Sequence, residues 1–218
     1  MLIEIPEKLY LASLFIGLAA VVDFFDGYVA RLLNIPSEMG KQLDSLADVV
    51  SFGVAPACIV YQFLRLALAN DVNALATSSW LFAPAFIIPM AGAYRLARFN
   101  LDTTQSTYFK GVPIPMIGIL TAVFPLIYWQ PSFGIISKLL LSPLFWYVYI
   151  LVVSYLMVMT RPMLALKSLS NKKKLFLPLG IVAIEIVFSA IFFKWYAIPF
   201  GFIGYCIVSL MYPKTITQ

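Results

Sequence analysis

Seven stretches of this chain stay apolar for about as long as a hydrocarbon core is thick, and that leaves few folds open. They run near 9–33, 44–68, 77–99, 112–130, 142–160, 177–193 and 195–212. A helix needs roughly 20 apolar residues to cross a bilayer, so six of them reach that length and the sixth in order, being short, is expected to tilt or lie shallow. Lipid offers the backbone no hydrogen-bond partners, which leaves helices as the way to carry such runs across. With 62% hydrophobic and only 11% charged residues, the expected fold is all-α. It is a polytopic helical membrane protein of about seven transmembrane helices, one domain over residues 1–218, with no soluble domain, internal repeat or low-complexity tail. The first run, from about Tyr10 to Val22, leads into polar residues without a small-residue cleavage pattern, so it reads as an inserted helix and not as a removed signal. Pro36, Asn70–Asp71–Val72–Asn73, Pro131 and Pro162 punctuate the connections, while Pro84, Pro89, Pro115, Pro125 and Pro199 fall inside apolar segments.

Charge gives the orientation. One set of alternate connections carries Arg31, Lys41, Arg95, Arg98, Lys110, Arg161, Lys167, Lys172, Lys173, Lys174 and Lys214; the other carries Lys8, Arg65, Lys138 and Lys194. The richer set is cytoplasmic by the positive-inside rule, in a cell (inner) membrane. The net charge of +5 then reflects topology and attraction to anionic headgroups, with the Lys172–Lys174 run as a lipid-facing loop, and nucleic acid is not an expected partner. The same count puts the N-terminus outside, an arrangement that leads us to expect a missing eighth, leading helix. Trp80, Trp129, Trp146 and Trp195 lie near segment ends and read as interface anchors. Glu185, inside the sixth segment, is expected to be protonated or hydrogen-bonded to a neighbouring helix.

Against this apolar background, Asp23 and Asp26 end the first run, and Asp44 and Asp48 open the second. A carboxylate at the bilayer centre costs about 2.5 kcal/mol or more, so such residues mark a working site by default. From Asp23 to Asp48 the chain reads D-x2-D-G-x2-A-R-x8-G-x3-D-x3-D. Asp23, Asp26, Gly27, Ala30 and Arg31 fall on one face of a helix, and Gly40, Asp44 and Asp48, spaced by four, fall on one face of the next. A short turn with Pro36 and a candidate N-cap at Ser37 makes the two helices antiparallel neighbours, so the acidic faces can converge. By the charge count, that point lies at the cytoplasmic boundary.

Chemistry narrows what such a cluster can do. The chain has no histidine, which excludes histidine acid–base catalysis, the serine triad and His-ligated zinc. Cys58 and Cys206 stand far apart in apolar segments and suggest neither a disulfide framework nor a thiolate site. Four neighbouring carboxylates repel unless cations neutralise them, and oxygen ligands suit Mg²⁺ or a pair of such ions. Gly27, Ala30 and Gly40 leave room for a ligand, and Arg31 offers a planar fork suited to phosphate. Metal ions beside a guanidinium equip a site for displacement at phosphorus, with a carboxylate to take the proton of an attacking hydroxyl. The residues alone leave a cation-coupled transporter open as the alternative, because paired intramembrane aspartates also line ion and proton pathways.

The eight fixed positions of this pattern resemble the signature of the CDP-alcohol phosphatidyltransferases. The resemblance implies transfer of a phosphatidyl group from CDP-diacylglycerol to a small alcohol with release of CMP, in a homodimer embedded in membrane lipid. It implies that Asp23, Asp26, Asp44 and Asp48 hold divalent cations, two Mg²⁺ or Mn²⁺ ions. Gly27, Ala30, Arg31 and Gly40 would line the CDP-lipid site, and Asp48 would be the base that deprotonates the acceptor. Asp44-Ser-Leu-Ala-Asp48, Ser51-Phe-Gly-Val-Ala-Pro56, Tyr94-Arg-Leu-Ala-Arg-Phe-Asn100 and Lys110-Gly-Val-Pro-Ile-Pro115 are similar to the branch whose acceptor is L-serine. Arg95, Arg98 and Lys110 share the cytoplasmic side, where a guanidinium could clamp the serine carboxylate; the plainer reading is that they are topology-setting cations. Glycerol 3-phosphate or an inositol derivative is the alternative acceptor. Family members usually carry a helix before the motif-bearing one, which agrees with the odd helix count and leaves an inactive, shortened paralogue as a third reading.

Overall fold

The computed structural model describes residues 8–33, 37–69, 78–102, 109–129, 134–163 and 194–211. Glu185, Lys167, the Lys172–Lys174 run, Lys214, Pro36, Pro131, the 70–73 stretch and the sixth apolar segment all lie outside the described residues, as do the side chains of Ala30 and Arg31. Among the described residues the chain forms helices α1 (Leu9–Leu32), α2 (Glu38–Asp48), α3 (Ala55–Ala69), α4 (Ile87–Leu101), α5 (Ile114–Trp129), α6 (Gly134–Leu140), α7 (Pro143–Val158) and α8 (Ala197–Met211). A π-helical turn, Val49–Val54, fuses α2 to α3, and short 3-10 turns lead into α4 and α8. Phe109–Lys110 and Pro162–Met163 form an antiparallel bridge of two residues each.

Four helical stretches are long and apolar enough to cross a membrane: Leu9–Val29, Glu38–Ala69, Ser79–Leu101 and Lys194–Met211; Ile114–Trp129 and Pro143–Val158 are shorter apolar helices. These six coincide with six of the seven apolar stretches read from the sequence. Pro125 lies inside α5 and Pro56 inside the continuous Glu38–Ala69 stretch, directly after the π turn; Pro115, Pro143 and Pro199 sit in first turns, where no hydrogen bond is lost.

The core lies where α3, α5 and α7 meet. Phe63 of α3 stacks on Trp146 of α7 at 4.8 Å between ring centres, and Phe124 of α5 meets Trp146 edge-on at 5.3 Å. Trp146 is completely buried, and its indole N–H donates to the Leu140 carbonyl at 2.7 Å. Its expected role as an interface anchor is therefore corrected: an N–H satisfied by the α6 end frees the ring to fill the core. Trp80, Trp129 and Trp195 are exposed, at 83%, 58% and 46%. Thr121, also fully buried, donates to or accepts from the Tyr149 hydroxyl at 2.6 Å, which ties α5 to α7.

Small residues let the backbones close up, which matters where lipid supplies no hydrophobic drive for helix association. A Cβ added at Gly118 of α5 would lie 2.8 Å from the Cβ and 2.9 Å from the Cα of Phe52 in the π turn. One at Gly53 would lie 3.2 Å from Pro89 of α4, and one at Gly92 of α4 would collide with Ile114. The π turn is thus wedged between α4 and α5. Gly111 has φ +74°, and a Cβ there would press on the Met157 carbonyl at 2.5 Å, so the 109–113 segment can lie flat on the end of α7 only with glycine.

Candidate active site

Asp23 and Asp26 project from the C-terminal half of α1; Asp44 and Asp48 occupy the last turns of α2, immediately before the π turn. Ser37 caps α2, its hydroxyl accepting from the Gly40 N–H at 3.0 Å, as its place after the turn suggested. The cap fixes where α2 starts, and hence which face carries the acids. Asp23 and Asp48 are half-buried, Asp26 and Asp44 exposed.

The fold brings the four together. The carboxyl groups of Asp23 and Asp44 lie within hydrogen-bonding reach of each other, and Asp26 acts on Asp23 across one helical turn. Asp48 lies within electrostatic range of Asp23, Asp44 and the Arg95 guanidinium. Carboxylates this close repel unless a proton or cation lies between them. The donor set is all oxygen and suits a hard divalent cation, although no three of these groups, among the described residues, close into a finished metal cage. Gly27 and Gly40 flank the acids, half-buried and exposed respectively, and leave them approachable.

The three cations expected near the acceptor separate into different jobs. Arg95 of α4 is 5% exposed, its Nε has no hydrogen-bond partner, and it sits in the field of Asp48, Arg98 and Tyr205 of α8. Arg98 instead donates through Nη1 to the Val158 carbonyl at 2.7 Å and through Nη2 to the Met159 carbonyl at 3.2 Å. It caps the C-terminal end of α7, where unpaired carbonyls and the helix dipole favour a cation. Lys110 pairs with Asp102, just past the end of α4. Cys58 and Cys206 are both free thiols.

Three further residues belong to this corner and were not singled out from sequence. Asn100 donates to the Ser45 hydroxyl at 2.9 Å, linking α4 to α2. Tyr205, hydrogen-bonded to Ser209, closes the Arg95 side. An amide at the polar end of an apolar helix was the available signal for Asn100; nothing in the local pattern distinguishes Tyr205 from other membrane tyrosines.

Comparison with known proteins supplies the lineage. Over 122 residues, 56% of this chain and 64% of the relative, it is 35% identical to a CDP-diacylglycerol–serine O-phosphatidyltransferase of Bacillus subtilis. It is 42% identical over 119 residues to the protein of that name in Saccharomyces cerevisiae, covering 39% of that relative. It is also 36% identical over 126 residues to archaetidylserine synthase of Methanothermobacter thermautotrophicus, covering 49% of it. The chain thus spans roughly two-fifths to just under two-thirds of the length of these relatives. Residues 1–142 match the CDP-alcohol phosphatidyltransferase family along a stretch that contains all four aspartates and Arg95, and the chain belongs to that family.

Proposed function

We propose that this protein is a multi-pass membrane enzyme that transfers the phosphatidyl group of CDP-diacylglycerol to the hydroxyl of L-serine, giving phosphatidylserine and CMP. The observation that carries the reading is the buried Arg95 guanidinium lying within the field of Asp48, the last acid of the motif. A carboxylate in the field of two other acids, Asp23 and Asp44, also feels a buried guanidinium whose Nε has no hydrogen-bond partner. The relatives, two named as CDP-diacylglycerol–serine O-phosphatidyltransferases and one as an archaetidylserine synthase, support the choice of acceptor.

Asp23, Asp26, Asp44 and Asp48 would hold two Mg²⁺ or Mn²⁺ ions, whose chemistry is to neutralise phosphate charge and make CMP a better leaving group. Gly27, Ala30, Arg31 and Gly40 line the approach for the CDP-lipid. Arg95 receives the serine carboxylate, with Arg98 holding the Val158 and Met159 carbonyls and Lys110 paired with the Asp102 carboxylate beside it. Asp48 accepts the proton of the serine hydroxyl; the oxygen forms a bond to the lipid-side phosphorus, and the bond from that phosphorus to the CMP oxygen breaks. The excess of cations on the motif-bearing side supports a cytoplasm-facing site in a seven-helix membrane domain, where soluble serine meets a membrane-held lipid, and a homodimer is the assembly expected of the family.

Full-length protein in phospholipid vesicles, given CDP-diacylglycerol, Mn²⁺ or Mg²⁺ and labelled serine, glycerol 3-phosphate or inositol, tests this directly. Phosphatidylserine and equimolar CMP with serine alone are expected, with no product in EDTA. Product with another alcohol and none with serine would reassign the acceptor; ion flux without CMP would point to the transporter reading.

A further inference from the structure

α2 carries Asp44 and Asp48 yet has no buried residue along its whole length, Glu38–Asp48. Its neighbour across the site, α4, is anchored: Ile88, Pro89, Ala91, Gly92, Arg95 and Leu96 are buried, and Arg98 grips the end of α7. Apart from its C-terminal junction with the π turn, which is wedged between α4 and α5, α2 has no packed side chain to fix its rotation or distance, whereas two groups acting on one substrate must keep their separation to within a fraction of an ångström. The link between them is polar. Asn100 Nδ2 donates to Ser45 Oγ at 2.9 Å, and that hydroxyl in turn donates to the Lys41 carbonyl at 3.0 Å. Ser45 follows Asp44 directly and precedes Asp48 by three residues; Asn100 follows Arg95 by five on a rigid helix.

We propose that Asn100, acting through Ser45, is a positioning residue that pins the acid-bearing helix α2 to α4 and so fixes Asp48 relative to Arg95. The inference rests on the serine-transfer reading for its kinetic consequence, not for its structural one. Neither residue touches substrate in this scheme. Losing the tether therefore lowers the rate of the chemical step and leaves ground-state binding in place.

The test is a double-mutant cycle on the full-length protein in vesicles. Asn100→Ala and Ser45→Ala are each expected to lower kcat about tenfold, the scale of one hydrogen bond, with KM for serine within about twofold. The double variant should be no slower than either single one, and Ser45→Thr, which keeps the hydroxyl, should restore kcat to within about twofold of the starting protein. Amide hydrogen exchange over residues 38–48 reads the tether without any substrate. It should quicken about fivefold to tenfold, and equally, in both alanine variants. Effects that multiply in the double variant, unchanged kcat in Asn100→Ala, or unchanged exchange in α2 would each overturn the proposal. Altered exchange as expected, in a protein that forms no phosphatidylserine, would uphold the tether and reject serine transfer instead. An Asn100→Ala protein that does not fold, beside a fully active Ser45→Ala, would also reject it.

Discussion

The aromatic centre of α3, α5 and α7 and the acidic pair α1 and α2 are held by opposite means. In the first, Phe63, Phe124 and Trp146 interlock at ring-centre distances of 4.8 and 5.3 Å, and polar atoms such as the Thr121 hydroxyl and Trp146 N–H find partners inside. In the second, α2 buries nothing, and Phe15, Leu18, Val22 and Phe25 of α1 face outward as lipid-facing side chains do. The acids meet through a cap, a turn and a tether. Packing holds the π turn just beyond Asp48, and polar contacts steady the rest of α2. Substitutions in the two regions should consequently separate stability from turnover.

Asp48→Asn offers the sharpest break. Removing the base should lower turnover by about 10²–10⁴-fold while thermal stability stays within a few degrees, measured by CMP release and a melting assay in the same micelles. A variant retaining a tenth of the activity would remove Asp48 from that role. Trp146→Ala should do the reverse, costing about 3–5 kcal/mol of stability through the cavity and the orphaned Leu140 contact, with near-normal kcat per folded molecule. Gly118→Ala follows at about 1–3 kcal/mol, because Phe52 Cα is backbone and cannot rotate away. This one should blur the division, since displacing the π turn moves Asp48 as well, so a parallel fall in kcat is expected; stability loss with kcat unchanged would show the turn and the acid to be uncoupled. Smallest is Ser37→Ala, about 1 kcal/mol from the lost Gly40 contact, seen as faster exchange at the start of α2.

Much of this arrangement was legible in the residues. Apolar runs of bilayer length located the six long described helical stretches, though not the short α6, because lipid enforces helix wherever such a run occurs. The i, i+4 spacing of Gly40, Asp44 and Asp48 gave the acidic face, and Ser37 gave its start. What stayed hidden depends on long-range geometry. Trp146 lies near a segment end like its exposed counterparts, and only the approach of Leu140 reveals that its N–H is satisfied inside. Arg95 and Arg98 are indistinguishable as sequence symbols. One is buried within the field of Asp48, and the other donates to carbonyls 60 and 61 residues away. The Ser51-Phe-Gly-Val-Ala-Pro56 stretch carried the family resemblance without disclosing that it is a wide turn, since no local propensity marks one.

That wide turn has a consequence for how the chain tolerates change. A π turn holds one residue more than the ordinary helix it interrupts, so the segments on either side keep the phase they would have without it. Losing one residue between Val49 and Val54 would narrow the turn to regular helix and leave Asp44 and Asp48 in phase with Ile59, Val60 and Phe63. The same loss midway along α3, beside Val60, would rotate everything beyond it by about 100° and turn Phe63, Leu64 and Ala67 toward lipid. Length variation among descendants of this chain should therefore gather at the one place, next to its most demanding residue, where the helix has slack to give.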